Sequence, residues 1–207
     1  MSRFRLAAVT IFVAAAVAFP ALVAAAPAAG SGSTDPGRLP QTGALPSAGT
    51  PWFRARMRAL WRGIVEDSAA AAEPAFFPRS AYLQVKQITN PGADYRDRLL
   101  ANFRADIHAA HLLVARGGAR AAFVGVRVPT EWTWITPGYC ANRAGYWHAP
   151  GSRLVYRQGG RLRSFGVFSL ISWRGEWYVV HLAVWDQPGT VDDPSAGVGA
   201  FGPPGGC

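Results

Sequence analysis

The sequence predicts an α+β domain in which helices come first and a curved antiparallel sheet follows. Before Gly118, apolar residues recur at three- and four-residue spacing in two segments, which is typical of amphipathic helices. After Gly118, apolar and polar residues alternate in several short segments, and glycine-containing turns separate the later ones. Helices followed by hairpin-linked strands predict that the helices pack on one face of the sheet.

The folded domain is predicted to span residues 50–187. Residues 26–49 are mostly alanine, proline, glycine, serine and threonine, so they bury little apolar surface and are predicted to form a flexible linker. Residues 188–207 are rich in glycine and proline and are predicted to form a tail. The length between these segments is typical of one domain with a sizeable core.

Thr50 is predicted to begin the first helix. Threonine is a good N-cap, and the following Pro51 stands at the first helical position, where proline is tolerated. The apolar face of this helix is formed by Phe53, Met57, Leu60, Trp61 and Ile64. Arg54, Arg58 and Arg62 lie opposite and are predicted to be solvated, with a partner-binding role as the alternative.

A second helix is predicted to run to about Val114, and Arg116-Gly117-Gly118 ends it, because glycine is favoured directly after a helix. Asp94 is predicted to cap its first turn. Its apolar face is formed by Tyr95, Leu99, Leu100, Phe103, Ile107, His111 and Val114. Between the two helices, residues 80–88 are predicted to form a short strand, and Asn90-Pro91-Gly92 a turn.

Five strands are predicted after the second helix, namely 121–128, 132–134, 146–156, 162–173 and 176–185. The third of them is extended on either side of Pro150, and a loop over 137–145 precedes it. Gln158-Gly159-Gly160-Arg161 and Arg174-Gly175 are predicted to be the turns of two successive hairpins.

The last predicted hairpin, Ser172 to Leu182, pairs a glycine turn with a tryptophan, a hydrophobic strand and a histidine. It resembles the closing hairpin of the cone-shaped α+β superfamily that includes nuclear transport factor 2, ketosteroid isomerase and the polyketide cyclases. This resemblance implies a cone-like fold (cystatin or polyketide cyclase-like) with a small, largely apolar cavity between sheet and helices. Isomerase-type members use an aspartate base and an acidic hydrogen-bond donor there, and no residue of this sequence is matched to either role.

A second resemblance covers most of the folded region. The motifs Gly145-Tyr146-Trp147-His148, Arg163-Ser164-Phe165-Gly166 and His181-Leu182 are similar to those of a group of exported proteins of high-GC Gram-positive bacteria. No known activity comes with this group. The resemblance therefore implies a compartment and not a reaction.

The N-terminus has the three parts of a secretory signal peptide. Arg3 and Arg5 precede an apolar run over 6–19, and small residues lead up to Ala25. We predict a signal peptide over 1–25 and a location that is secreted or in the extracytoplasmic cell envelope. The alternative is an uncleaved anchor, and only then is a membrane predicted as a partner.

The chain is basic, and its basic residues are almost all arginine. Cleavage after Ala25 would lower the number of basic residues from 21 to 19 and the net charge from +9 to +7. Lys86 is the only lysine. This bias is typical of a GC-rich genome, so no nucleic-acid partner is predicted. The basic surface is predicted to be solvated. The alternative is that it associates with anionic lipid headgroups or cell-wall phosphate polymers through attraction that salt screens.

Cys140 and Cys207 are the two cysteines of the chain. In an oxidising compartment they are predicted to form a disulfide that ties the tail to the domain. The alternatives are two free thiols, or Cys207 paired with another molecule. Neither cysteine belongs to a CxxC motif, so the predicted role is structural.

The candidate pocket residues are His111, Tyr146, His148 and His181. In an extended strand Tyr146 and His148 share one side, and a histidine–tyrosine pair can exchange protons when both face a pocket. The competing interpretation is packed core histidines and an aromatic strand. His108 and His111 are three residues apart on a helix, but no third ligand is evident, so no metal is predicted.

No motif of an established catalytic class is present. The sequence lacks G-x-S-x-G, S-x-x-K, a phosphate-binding glycine loop and zinc-spaced cysteines. We therefore predict a non-catalytic exported domain that binds an apolar small molecule, a cell-wall component or another protein, without a cofactor. The alternative is a small-molecule isomerase, cyclase or dehydratase of the cone-shaped superfamily.

Overall fold

The computed structural model describes residues 35–192, 198–199 and 201–202 of the 207-residue chain. The predicted signal peptide and Cys207 lie outside the described residues, so the signal and the disulfide stay predictions. Helices are followed by a strongly curled antiparallel sheet, which confirms the predicted α+β class. Within the described part of the chain, no helix combines the length and apolar character needed to span a bilayer.

Five α-helices precede five strands. The helices are α1 (Pro51–Glu66), α2 (Ala69–Ala72), α3 (Arg79–Val85), α4 (Pro91–Asp94) and α5 (Leu100–Ala115). The strands are β1 (Ala122–Arg127), β2 (Thr133–Ile135), β3 (Tyr146–Gln158), β4 (Arg161–Trp173) and β5 (Glu176–His181). In the sheet the order is β1-β3-β4-β5, and β2 also pairs with β3. The helices cover the concave face, and one apolar core lies between the two layers.

The first helix begins as predicted. The Oγ1 atom of Thr50 accepts a hydrogen bond from the Phe53 backbone N at 2.9 Å, which satisfies a free donor of the first turn. Arg56 connects this helix to the last strand, because its guanidinium lies 2.9 Å from Glu176 and 2.8 Å from the hydroxyl of Tyr178. The cap and these contacts hold α1 against the sheet.

The predicted strand over 80–88 is wrong, because residues Arg79–Val85 form α3. The buried residues of this segment are Ala81, Tyr82 and Val85, whose spacing of three and four fits one face of a helix. Gly37 lies so close to the start of α3 that a Cβ there would come within 2.7 Å of the Ala81 nitrogen. The close packing of this preceding segment selects the helix over an extended strand.

The second long helix also begins earlier than predicted. Asn90, and not Asp94, is the cap, since its side chain accepts a hydrogen bond from the Ala93 nitrogen at 3.0 Å. A π-helical turn over Tyr95–Leu99 then joins α4 to α5. Asp94 is thereby placed inside the helical run, where its carboxylate binds Arg98. This turn becomes one wall of the cavity described below.

Strand β3 passes through Pro150 without a break. β2 pairs with β3 only as far as His148, and β1 only from Arg153, so Pro150 has β4 as its single neighbour strand. Because proline lacks the N–H that a second neighbour would need, it fits this gap. The gap also allows the sheet to curl around the cavity.

Residues 35–49, predicted to belong to a flexible linker, make specific contacts with the domain. The side-chain amide nitrogen of Gln41 donates to the backbone carbonyl oxygens of Gly145 and Ser172 at 3.2 and 3.1 Å. The side-chain amide oxygen of Gln41 accepts from the Arg174 backbone nitrogen at 2.7 Å. Trp173 donates to the Pro36 oxygen at 3.1 Å. The structure differs from the prediction here because hydrogen bonds hold the segment against the domain, and Ala48 also packs against the core.

We expect Gly63→Ala to destabilise the protein, although alanine normally favours a helix. A Cβ at Gly63 would lie 2.5 Å from the Cβ of Ala72 and 2.6 Å from the carbonyl oxygen of Ser68, so α1 and α2 would have to separate. Overpacking of this kind costs about 1–3 kcal/mol. Urea unfolding measures the change, and Gly43→Ala, which has no neighbour within 4 Å, is the control. An unchanged stability of Gly63→Ala would contradict the close helix packing.

Candidate functional site

The curled sheet and the helices enclose a cavity of about 450 Å³. Its walls come from the concave face of β2 to β5, from α3 and the π-helical turn, and from the loops on either side of the sheet. Tyr139, Val184 and Trp185 line it and are exposed, so this end opens to solvent. The volume lies within the range of roughly 300–1,000 Å³ that is usual for small-molecule sites.

Five polar side chains of the sheet line the cavity, namely Thr133, Tyr146, His148, Ser169 and His181. Tyr146 and His148 are two apart on β3 and share a face, while Ser169 of β4 pairs directly with His181 of β5. Trp147 does not line the cavity; its indole N–H donates to the Gly43 oxygen at 3.2 Å. The strand pairing thus brings together side chains that are far apart in the sequence.

His148 is buried, with only 6% of its surface exposed. Its Nε2 lies 3.2 Å from the Ser169 hydroxyl, which is hydrogen-bond distance. Burial disfavours the charged imidazolium and lowers the pKa of His148 to about 4. The ring is therefore neutral near pH 7 and offers a ligand one donor or one acceptor without charge.

His181 lies next to a fully buried carboxylate. Its Nδ1 is 3.6 Å from Asp106 Oδ2, which is too far for a hydrogen bond, and this nitrogen makes no hydrogen bond within the described part of the chain. Asp106 is held by the backbone, because its two oxygens accept from the nitrogens of Leu182 at 3.1 Å and Gly189 at 2.6 Å. The two hydrogen bonds to Asp106 fix the end of β5 and the segment that follows it.

The helical side of the cavity is cationic. Arg98 donates to both oxygens of Asp94, at 2.7 and 2.6 Å, and to the Tyr82 hydroxyl at 2.9 Å, and its guanidinium lies 5.2 Å from the ring centre of Trp185. The hydrogen bond from Arg98 holds the pKa of Asp94 below its usual value. Burial, and then the hydrogen bond that it donates to Asp94, raise the pKa of Tyr82. This network holds the Arg98 guanidinium at the cavity wall and compensates part of its charge.

Lys86 follows α3 directly and also lines the cavity. Its Nζ donates to the carbonyl oxygen of Cys140 at 2.8 Å. None of the described residues that line the cavity is an aspartate or glutamate. Burial first, and then repulsion by Arg98, lower the pKa of Lys86. The cavity therefore contains an amine that is easier to deprotonate than an ordinary lysine.

His111, the fourth candidate, lies elsewhere. Its Nδ1 donates to the carbonyl oxygen of Ile64 at 3.0 Å and thus links α5 to α1. The neighbouring His108 lies 2.9 Å from Asp67. In the described ranges no three histidine, cysteine, aspartate or glutamate side chains are grouped so that they could hold a metal ion. His111 is a helix-packing residue and does not share the cavity of the other three candidates.

Lys86, Arg98 and Ser169 line the cavity but were not identified from the sequence. Lys86 had a visible signal, because it is the only lysine of the chain, yet its segment was predicted to be a short strand and no functional role was assigned to it. An arginine on an amphipathic helix is ordinarily solvated, and a serine in a strand carries no chemical signal by itself. Only the curl of the sheet and the packing of the helices bring these three residues to one cavity.

The chain was compared with protein-family models, with curated protein sequences and with solved structures. None of the three comparisons found a match. The function is therefore inferred from the cavity and the side chains that line it.

Proposed function

We propose that this protein is an exported, non-catalytic domain that binds a small molecule with an apolar body and one polar group. The cavity of about 450 Å³ is the observation that carries the proposal. A largely preformed apolar cavity with a few convergent polar groups is the usual form of a small-molecule site. The resemblance to the cone-shaped superfamily, whose members enclose such a cavity, supports the same proposal.

The lining matches a ligand of mixed character. Phe77, Leu99 and Ile171 provide an apolar surface that would cover the body of the ligand. His148 and Ser169 provide uncharged hydrogen-bonding groups on the sheet side. Because a buried polar group without a partner costs free energy, a ligand with one hydroxyl or carbonyl group fits better than a pure hydrocarbon.

We expect the aromatic alcohol naphthylmethanol to bind the wild-type protein and Ser169→Phe to abolish this binding. Ser169 is partly exposed toward the cavity, so a phenyl ring there would occupy the space of the ligand. Quenching of tryptophan fluorescence measures binding, and circular dichroism checks the fold. Val124→Phe, at a position 54% exposed on β1, is the matched control and should bind like the wild type. Equal binding by both variants would contradict the cavity as the site.

A second candidate function, a small-molecule isomerase, cyclase or dehydratase, is favoured by one observation. The Asp106 carboxylate lies 3.6 Å from Nδ1 of His181, which places a carboxylate and an imidazole side by side at the cavity, as in many proton-transfer sites. His181 would then accept a proton from a ligand in the cavity. Deuterium exchange into small ketones tests this function. Exchange that His181→Asn abolishes would favour the enzyme, and binding without exchange favours the non-catalytic domain.

We also propose that the protein acts outside the cytoplasm and that Cys140 pairs with Cys207. The support is the signal-like N-terminus and the presence of two cysteines in a chain bound for an oxidising compartment. Purification from a secreting host tests both points. N-terminal sequencing should begin at Ala26, and peptide mapping without reductant should recover the two cysteines in one peptide pair. Retention of Met1 would favour the uncleaved anchor.

A further inference from the structure

Lys86 is distinguished from all other basic residues by its side chain and by its place. Of 21 basic residues it is the only lysine, and the structure places it on the cavity wall beside Tyr139 and Cys140. A guanidinium stays protonated and is not a nucleophile, whereas an amine that loses its proton is one. The only lysine side chain of this chain therefore lines the cavity.

The surroundings of Lys86 favour a reactive amine. Two charged groups act on it. Arg98 repels the ammonium form, and Asp94, whose carboxylate is paired with Arg98, attracts it less strongly than Arg98 repels it. No described acidic residue lines the cavity to hold the ammonium form there. Burial and Arg98 lower the pKa of Lys86, so a larger fraction is neutral at a given pH. Desolvation beside a second cation is a known way to activate a lysine.

The contact with Cys140 orients the amine. Nζ donates one hydrogen bond to the Cys140 carbonyl oxygen at 2.8 Å. A neutral amine has two N–H bonds and one lone pair, so it can keep this hydrogen bond while its lone pair is available. The backbone at Cys140 is itself fixed in the left-handed region, with φ of 54°. The acceptor that orients Lys86 is thus part of a defined turn.

We propose that Lys86 binds aldehydes or ketones covalently and reversibly, as an imine, inside the cavity. The inference rests on the proposed function, since the carbonyl compound must first enter the cavity. The Nζ lone pair attacks the carbonyl carbon, a C–N bond forms, and the carbonyl oxygen takes up a proton to give a carbinolamine. Nitrogen loses one proton to solvent, the hydroxyl takes up a second proton and leaves as water, and an iminium C=N bond forms. The iminium then loses its remaining N–H proton to solvent to give the neutral imine. Amine and carbonyl compound give imine and water, with no net oxidation or reduction.

The experiment traps the imine on the full chain. Naphthaldehyde is added with sodium cyanoborohydride near neutral pH, and peptide mapping by mass spectrometry quantifies the naphthylmethyl adduct at each amine. We expect the adduct at Lys86, and its loss in Lys86→Arg, which keeps a cation and a hydrogen-bond donor but has no amine. The α-amine at the N-terminus is the internal reference and should react equally in both proteins.

A relocated lysine tests whether the reactivity belongs to the cavity. The double variant Lys86→Arg, Arg62→Lys carries its one lysine on the exposed face of α1. We expect Lys86 in the wild type to be trapped at least about tenfold faster than this relocated lysine, because the cavity holds the aldehyde beside the Lys86 amine. Burial also lowers the pKa of Lys86. Naphthylmethanol, which has no carbonyl group, should slow trapping at Lys86 and leave the N-terminus unaffected.

The outcomes separate the two proposals. If naphthylmethanol binds but Lys86 is trapped no faster than the relocated lysine, the imine is overturned and the binding function stands. If naphthylmethanol neither binds nor slows trapping, the proposed function fails, and any adduct at Lys86 is surface chemistry. Binding of naphthylmethanol by Lys86→Arg shows that this variant is folded, so loss of its adduct reports on the amine.

Discussion

Acidification from pH 6.5 to pH 4 is expected to lower the free energy of unfolding by about 3 kcal/mol through His148 alone. The pKa of this histidine falls from 6.5 to about 4 on folding, because burial disfavours its charged form. Between these two values the unfolded chain binds more protons than the folded one. The contribution is fully present above pH 6.5 and is lost as the pH falls to about 4.

Urea unfolding of the wild type and of His148→Gln over this pH range measures the effect. Glutamine cannot titrate but can still hydrogen-bond, so the variant should lack this part of the pH dependence. All other titrating groups are common to both proteins, and the difference between the two curves isolates His148. Parallel curves would show that His148 is solvated in the folded state and that the cavity around it is not closed as described.

Replacement of Asp106 by alanine should cost about 3 kcal/mol of folding stability. Asp106 is fully buried, and its carboxylate accepts from the backbone nitrogens of Leu182 and Gly189. Alanine leaves both backbone N–H groups without an acceptor. Each buried donor that loses its partner lowers the folding stability by about 1–3 kcal/mol. The segment that follows β5 carries Val184 and Trp185 of the cavity rim, so binding of naphthylmethanol should weaken as well.

Two controls accompany Asp106→Ala in urea unfolding. Asp106→Asn keeps one carbonyl oxygen in the same place and should cost less. Asp97→Ala removes a carboxylate whose side chain is 61% exposed and should change stability by no more than about 0.5 kcal/mol. If Asp106→Ala were as stable as Asp97→Ala, the buried hydrogen bonds of Asp106 would not hold the end of the sheet.

The parts of the fold with strong local signals were predictable. Thr50 and Pro51 indicate the start of α1 directly, and Gly159-Gly160 indicates the turn between the long strands β3 and β4. Residues 80–88 carry no such signal, because Ala81, Leu83 and Val85 alternate as in a strand while Ala81, Tyr82 and Val85 fit a helix. Packing against a distant segment decides between the two patterns. A local pattern does not contain that information.

The candidate site was predictable only on its sheet side. Alternation in a strand places Tyr146 and His148 on one face, and the glycine turn before β5 leads to His181. His111 was expected on the apolar face of its helix. That helix packs on the sheet and also on α1, and His111 faces α1. Lys86 and Arg98 reach the cavity through the position of α3 and the π-helical turn, which depends on tertiary packing.

The four histidines of the chain provide the most direct test of the central claim that the cavity is the ligand site. His148 and His181 line the cavity, whereas His108 and His111 are held by contacts with Asp67 and Ile64 away from it. NMR of histidine-labelled protein, titrated with naphthylmethanol, observes all four rings at once. We expect saturable shifts of the His148 and His181 signals and constant signals for His108 and His111. Shifts confined to His108 and His111, or no shift of any ring, would contradict it.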